Sequence, residues 1–168
     1  MRLPNTYTKT NILRGMAVYA AGDTIAMLIL GKFAPTQILL RMLGMMLLGG
    51  TLYALEIPSY FAWIARKTAS VLGWRGQVLR AVLAWGYFNP LWIARHLAFT
   101  KVFSGAWSEI SSALLPIAFH SFLWSIPISF AGNFVIQNFV PERHRFLASA
   151  VFSGFNAIYY ALSAVWFA

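Results

Sequence analysis

The chain has no cysteine. Disulfide staples, thiol catalysis and thiolate metal centres are therefore excluded. Acid is almost as scarce, with four Asp and Glu in 168 residues, and no two of them sit at the spacing of a catalytic pair. Residues of either charge make up 10% of the chain, against about a quarter in an ordinary soluble domain. A phosphate-cradling glycine loop, a dinucleotide fingerprint, His-Glu-x-x-His and a nucleophile elbow are also missing. The expectation is a protein that is not an enzyme and that holds no cofactor or metal.

What is present is apolar. Hydrophobic residues reach 60%, with 14 Phe, 7 Tyr and 7 Trp, and the mean hydropathy is +0.66. In water such a chain could not cover its apolar surface. The length suits one domain, so residues 1–168 are expected to form a single integral membrane domain. The few charges are mostly positive, 13 Lys and Arg for a formal +9. Because these cations lie between apolar segments, they point to an anionic lipid surface rather than to nucleic acid. The start is basic (Arg2, Lys9, Arg14), and Asp23 interrupts the apolar run behind it. That pattern reads as an uncleaved import signal rather than a secretory one.

A spanning helix needs about 20 mostly apolar residues. Ile110–Pro141 and Phe146–Ala168 contain no Asp, Glu, Lys or Arg. The predicted spans are Ile12–Leu30, Ile38–Ile64, Val78–Thr100, a segment within Ser111–Asn138, and Phe146–Phe167. Alternating strand patterns are missing, and lipid leaves no backbone group unpaired, so the fold class is all-α: a multi-span transmembrane bundle of four or five spans. Five spans gather Arg2, Lys9, Arg14, Arg66, Lys67, Arg75, Arg80, Arg143 and Arg145 on one side, leaving Lys32, Arg41 and Lys101 on the other. Four spans, with Ser111–Asn138 re-entrant, would invert the C-terminus. The positive-inside bias prefers five. Trp63, Trp74, Trp107 and Trp166 fall near predicted span ends, where indoles anchor.

Ionisable groups at membrane depth mark function or helix locking. Asp23 is out of reach of Arg14, since nine residues turn a helix by about half a revolution. Arg95 is its first candidate partner and Arg41 the second. Glu56, beside Pro58, suggests an acid at a kink or at the interface. It is too far along its own helix to meet Arg41. Asn89-Pro90 breaks the third span. Asp23, Asn89, Arg95, His96, Arg41 and Glu56 are thus candidates for a polar interior or a pore. His120 reads as a hydrogen-bonded core residue, with no His or acid at i+3 or i+4 to make a metal site. Arg66, Lys67, Arg75, Arg80, Arg143 and Arg145 are candidate contacts for lipid headgroups, cardiolipin among them. Ala17/Ala21, Gly22/Ala26, Ala150/Gly154 and Gly49-Gly50 are expected close-packing points.

Thr8, Gly15 and Gly22-Asp23 in the first span resemble the T…G…GD start of the Mpv-seventeen family, which includes the small peroxisomal membrane protein. Arg41, Gly49 and Tyr60-Phe61 fall where that family has R…G…WY, and Pro90 is similar to the proline after its DQ pair. Asn138–Pro141 with Arg145 resembles NF…VP…R. Asn156, Tyr160 and Ser163 follow the WN.YLS tail. The chain departs from the pattern at Trp85-Gly86 in place of DQ, at Phe155 in place of the tail tryptophan, and in the spread of Trp124 and Pro127. The resemblance implies a small multi-span protein of the mitochondrial inner membrane, or secondarily the peroxisomal one, that conducts small solutes or maintains membrane homeostasis. A weaker similarity links Arg41–Gly49 to the R-x-x-G/A-N-M-x-x-G helix of the rotary ATPase proton-channel subunit, with Met45 at the Asn position. The alternative is a non-catalytic accessory subunit of a larger membrane complex, such as a respiratory complex or ATP synthase, with other subunits or further copies as partners. A transporter or lipid-modifying enzyme is a third class.

Overall fold

A computed structural model describes the backbone over residues 6–31 and 34–166, with side chains throughout those ranges except at 157 and 160–166. Arg2 and Lys32 of the charge count, and the side chains of Tyr160, Ser163 and Trp166, lie outside it. Among the described residues the chain is all helical. Seven α-helices follow in order: α1 (Lys9–Leu30), α2 (Pro35–Leu48), α3 (Ala54–Lys67), α4 (Gly73–Tyr87), α5 (Pro90–Phe103), α6 (Leu114–Phe139) and α7 (Glu142–Trp166). A π-helical segment, Gly49–Tyr53, joins α2 to α3 without a break, and a 3₁₀ turn, Trp107–Glu109, precedes α6.

Three helical stretches are long and apolar enough to cross a membrane: Lys9–Leu30, the α2–π–α3 unit Pro35–Lys67, and Leu114–Phe139. The predicted third span is instead two helices of 15 and 14 residues. At 1.5 Å per residue each is about 20 Å long, too short to cross a core of about 30 Å alone. The break lies at Asn89-Pro90, as the sequence indicates. Asn89 caps α5, its Oδ1 accepting from the Leu91 and Trp92 amides at 2.9 and 3.2 Å, and Pro90 takes the first helical position, where its missing N–H costs nothing. Both α4 and α5 pack along α6, so the pair runs where one span was expected.

The irregularity in the second span sits about two turns earlier than expected. Pro58 is buried within regular α3, while the wide turn falls at Gly49–Tyr53. At that turn the backbones of α1 and the second span come very close together. A Cβ on Gly15 would lie 2.1 Å from the Gly49 carbonyl oxygen, and one on Gly49 would lie 2.3 Å from that of Gly15. Further along α1, a Cβ on Gly22 would lie 2.8 Å from the Gly154 Cα on α7. Van der Waals contact of this kind replaces the hydrophobic effect where lipid is the solvent.

The surface carries the greasy side chains. Leu28 and Ile29 of α1, Leu40 and Leu47 of α2, and Phe119, Trp124, Ile128 and Phe139 of α6 are each half exposed or more. Trp74 and Trp107 are exposed at helix ends, whereas Trp63 stacks on Tyr60 with centroids 5.2 Å apart. His120, expected in the core, is exposed on α6 beside Phe119. It lies one residue before the buried Ser121 and so points off the face that packs inward.

Candidate functional site

The buried face of α6 is polar. Ser121, Ser125, Ser129, Asn133 and Gln137 recur every fourth residue, and none is more than 7% exposed. Residues at that spacing share a helix face. The hydroxyls of Ser121 and Ser125 donate to the Ile117 and Phe122 carbonyls, and Asn133 Nδ2 donates to the Ser129 carbonyl. Asn133 Oδ1 and both amide atoms of Gln137 have no partner among the described residues. Across from this ladder, α7 offers Ser149, which is 2% exposed, and α5 offers Trp92 and His96 around the same small cavity. A four-residue count through the uncharged stretch would have revealed the ladder. Attention to ionisable residues passed over it.

Beside the ladder run two ion pairs. Asp23 on α1 pairs with Arg41 on α2: Nε donates to Oδ2 at 3.0 Å and Nη2 to Oδ1, with both side chains buried. Arg95, the first sequence candidate for Asp23, binds Glu56 instead. Its Nη1 reaches Oε1 at 3.1 Å, and its Nη2 reaches Oε2 at 2.9 Å. Helix-hairpin geometry explains the exchange. Asp23 and Arg41 lie a similar rise from the α1–α2 turn, so they meet at one depth. The Glu56–Arg95 pair is about one third exposed. It opens on a cleft of about 430 Å³ at the α4–α5 break, lined also by Asn89, Tyr87 and Tyr60. Asn89 therefore belongs to this lateral cleft and to the α5 cap rather than to the inner face.

Between the pairs lies a stack of rings. Tyr53, delivered by the π-helical segment, shares a 3.0 Å hydrogen bond between its hydroxyl and His96 Nδ1. Its ring stacks on Trp92 at 5.3 Å, and Trp92 stacks on His96 at 5.6 Å. The Arg95 guanidinium carbon lies 5.9 Å from the Tyr53 and Trp92 ring centroids, within cation–π range. Of the six interior candidates, Asp23, Arg41 and His96 are buried in the bundle, while Glu56, Arg95 and Asn89 line the lateral cleft.

The headgroup candidates collect at one end. Arg80 Nε donates to Asn138 Oδ1 at 2.9 Å, tying the middle of α4 to the end of α6. Arg14 Nη1 donates to the Arg143 carbonyl at 3.2 Å, tying α1 to α7. Arg145 Nε donates to the Val140 carbonyl at 3.0 Å. Arg66, Lys67, Arg75 and Arg143 are exposed, whereas Arg80 and Arg145 are partly spent on structure. A cleft of about 600 Å³ at this end is lined by Arg14, Arg143, Arg145 and Glu142. Away from this collar, Arg41 and Arg95 are neutralised as above, and Lys101 pairs with Glu109. Three of the four acids thus cancel the described cations that lie outside the basic end, which sharpens the charge asymmetry. Among the described residues no three His, Cys, Asp or Glu side chains converge on a metal-sized site.

The residues that carry the family resemblance hold the first helix in place: Thr8 caps α1, Gly15 and Gly22 make its close crossings, and Asp23 its ion pair. Compared with protein-family models, curated proteins and solved structures, the chain matches none.

Proposed function

We propose that the chain is an integral membrane protein of five spans, with α4 and α5 forming one broken span, and that it conducts small polar solutes along the polar column inside the bundle. The carrying observation is the inversion of α6: its hydroxyls and amides face inward while Phe119, Trp124, Ile128 and Phe139 face out. A helix in water presents the reverse pattern. At 26 residues α6 is about 39 Å long, enough to cross rather than re-enter. A broken helix at membrane depth is tolerated where it faces protein or a hydrated cleft, and the Glu56–Arg95 cleft lies at the break. The resemblance to the Mpv-seventeen family supports the same reading, with the mitochondrial inner membrane as first setting and the peroxisomal membrane as second.

Purified protein reconstituted into planar bilayers tests it. The expected result is a solute or ion conductance that changes when Asp23→Asn removes the charge beside the column. Silent bilayers from demonstrably folded protein overturn the reading.

The basic collar favours a second reading, an accessory subunit that holds anionic lipid such as cardiolipin and locks a larger assembly. Silent bilayers together with stoichiometric co-purification in a large complex would support that reading over conduction.

A further inference from the structure

Polar atoms buried between α1, α5, α6 and α7 are not all satisfied by protein. Asn133 is 3% exposed, and its Oδ1 accepts no hydrogen bond from any described residue. Trp92 is 6% exposed, and its indole Nε1 donates to none. The acceptor and the donor belong to two residues that line one cavity of about 20 Å³, together with Tyr19, His96, Ser129 and Ser149. Burying an indole N–H and an amide oxygen unpaired is unfavourable. A water needs a cavity of at least about 10–15 Å³ and two to four polar partners, and such waters belong to the structure.

We propose that this cavity is a hydration site for one ordered water, which accepts from Trp92 Nε1 and donates to Asn133 Oδ1. A volume of about 20 Å³ suits one water. The water's second proton has Ser129, Ser149 and the His96 ring around it. Because Tyr53 of the π-helical segment bonds Nδ1 of His96, a bond from the water to that ring would extend a hydrogen-bonded chain from this segment through α5 to α6. Water here also couples α6 to α5 without any direct side-chain bond between Asn133 and Trp92. The proposal does not depend on conduction.

Water-edited magnetic resonance of the protein in lipid tests it, with the Trp92 indole proton assigned by its loss in Trp92→Phe. The expected result is a water cross-peak at the Trp92 indole in the wild-type chain that disappears in Asn133→Leu. A folded wild-type protein whose Trp92 indole shows no water contact overturns the proposal. So does an unchanged cross-peak in folded Asn133→Leu. Should Asn133→Leu fail to fold, a density map fine enough to show waters decides on the wild type alone: a peak bridging the two atoms supports the site, and a dry cavity overturns it.

Discussion

Arg41 reaches across the α1–α2 hairpin to hold Asp23 with two of its nitrogens, both side chains sealed from the surface. Removing one member of a buried pair strands the other charge, which costs about 3–5 kcal/mol, whereas replacing both with apolar groups of similar size is often neutral. Asp23→Asn alone should therefore lower the thermal midpoint of detergent-solubilised protein sharply. Asp23→Leu combined with Arg41→Met should restore most of it, as a double-mutant cycle by thermal unfolding would show.

Glu56→Gln should cost less than Asp23→Asn. The Glu56–Arg95 pair is about one third exposed and opens on the cleft at the helix break, so water can solvate the stranded Arg95. The same unfolding assay ranks the two variants. Equal losses would mean that the cleft is dry.

Glycine positions separate packing from propensity. Replacing Gly by Ala in a helix gains up to about 1 kcal/mol from backbone entropy alone. At Gly86 a Cβ meets nothing within 4 Å, so Gly86→Ala should be neutral to stabilising. At Gly15 and Gly49 the added Cβ would strike the opposing backbone. Backbone cannot swing aside as a side chain can, so either substitution should destabilise despite the better propensity. Unfolding midpoints of the three variants test the contrast.

Asn89→Ala removes the cap of α5, a loss of about 0.5–2 kcal/mol, while Asn89→Ser should keep most of it. Amide hydrogen exchange at Leu91 and Trp92, the amides that Asn89 receives, should accelerate in the first variant and not in the second.

Much of this fold is legible in the sequence, for reasons that are local. Apolar runs give the helices and Asn89-Pro90 gives the break, while Gly22/Ala26 and Ala150/Gly154 mark close-packing points without showing that Gly22 meets Gly154. The pairing of ionic groups is not local. Asp23 could be assigned to Arg41 only once the hairpin fixed their common depth, and Glu56 to Arg95 only once packing brought α3 and α5 within side-chain reach. Pro58 suggested a kink, but neighbouring packing accommodates it within α3, and the wide turn forms at Gly49-Gly50, where the backbone of α1 presses in. The α6 ladder was readable and is easily overlooked, because Ser, Asn and Gln carry no charge to mark the stretch.

The inward polar face and outward apolar face of α6 are the feature on which the membrane reading rests, and spin labels report it directly. Single cysteines can be placed in the naturally cysteine-free chain at Leu123, Ile128 and Val135, on the exposed face, in protein reconstituted into lipid. The expected result is strong collision with lipid-dissolved oxygen and little with a water-soluble nickel chelate at all three sites. Ready quenching by the nickel chelate at Ile128, near the middle of the helix, would place water where lipid is required and would contradict it.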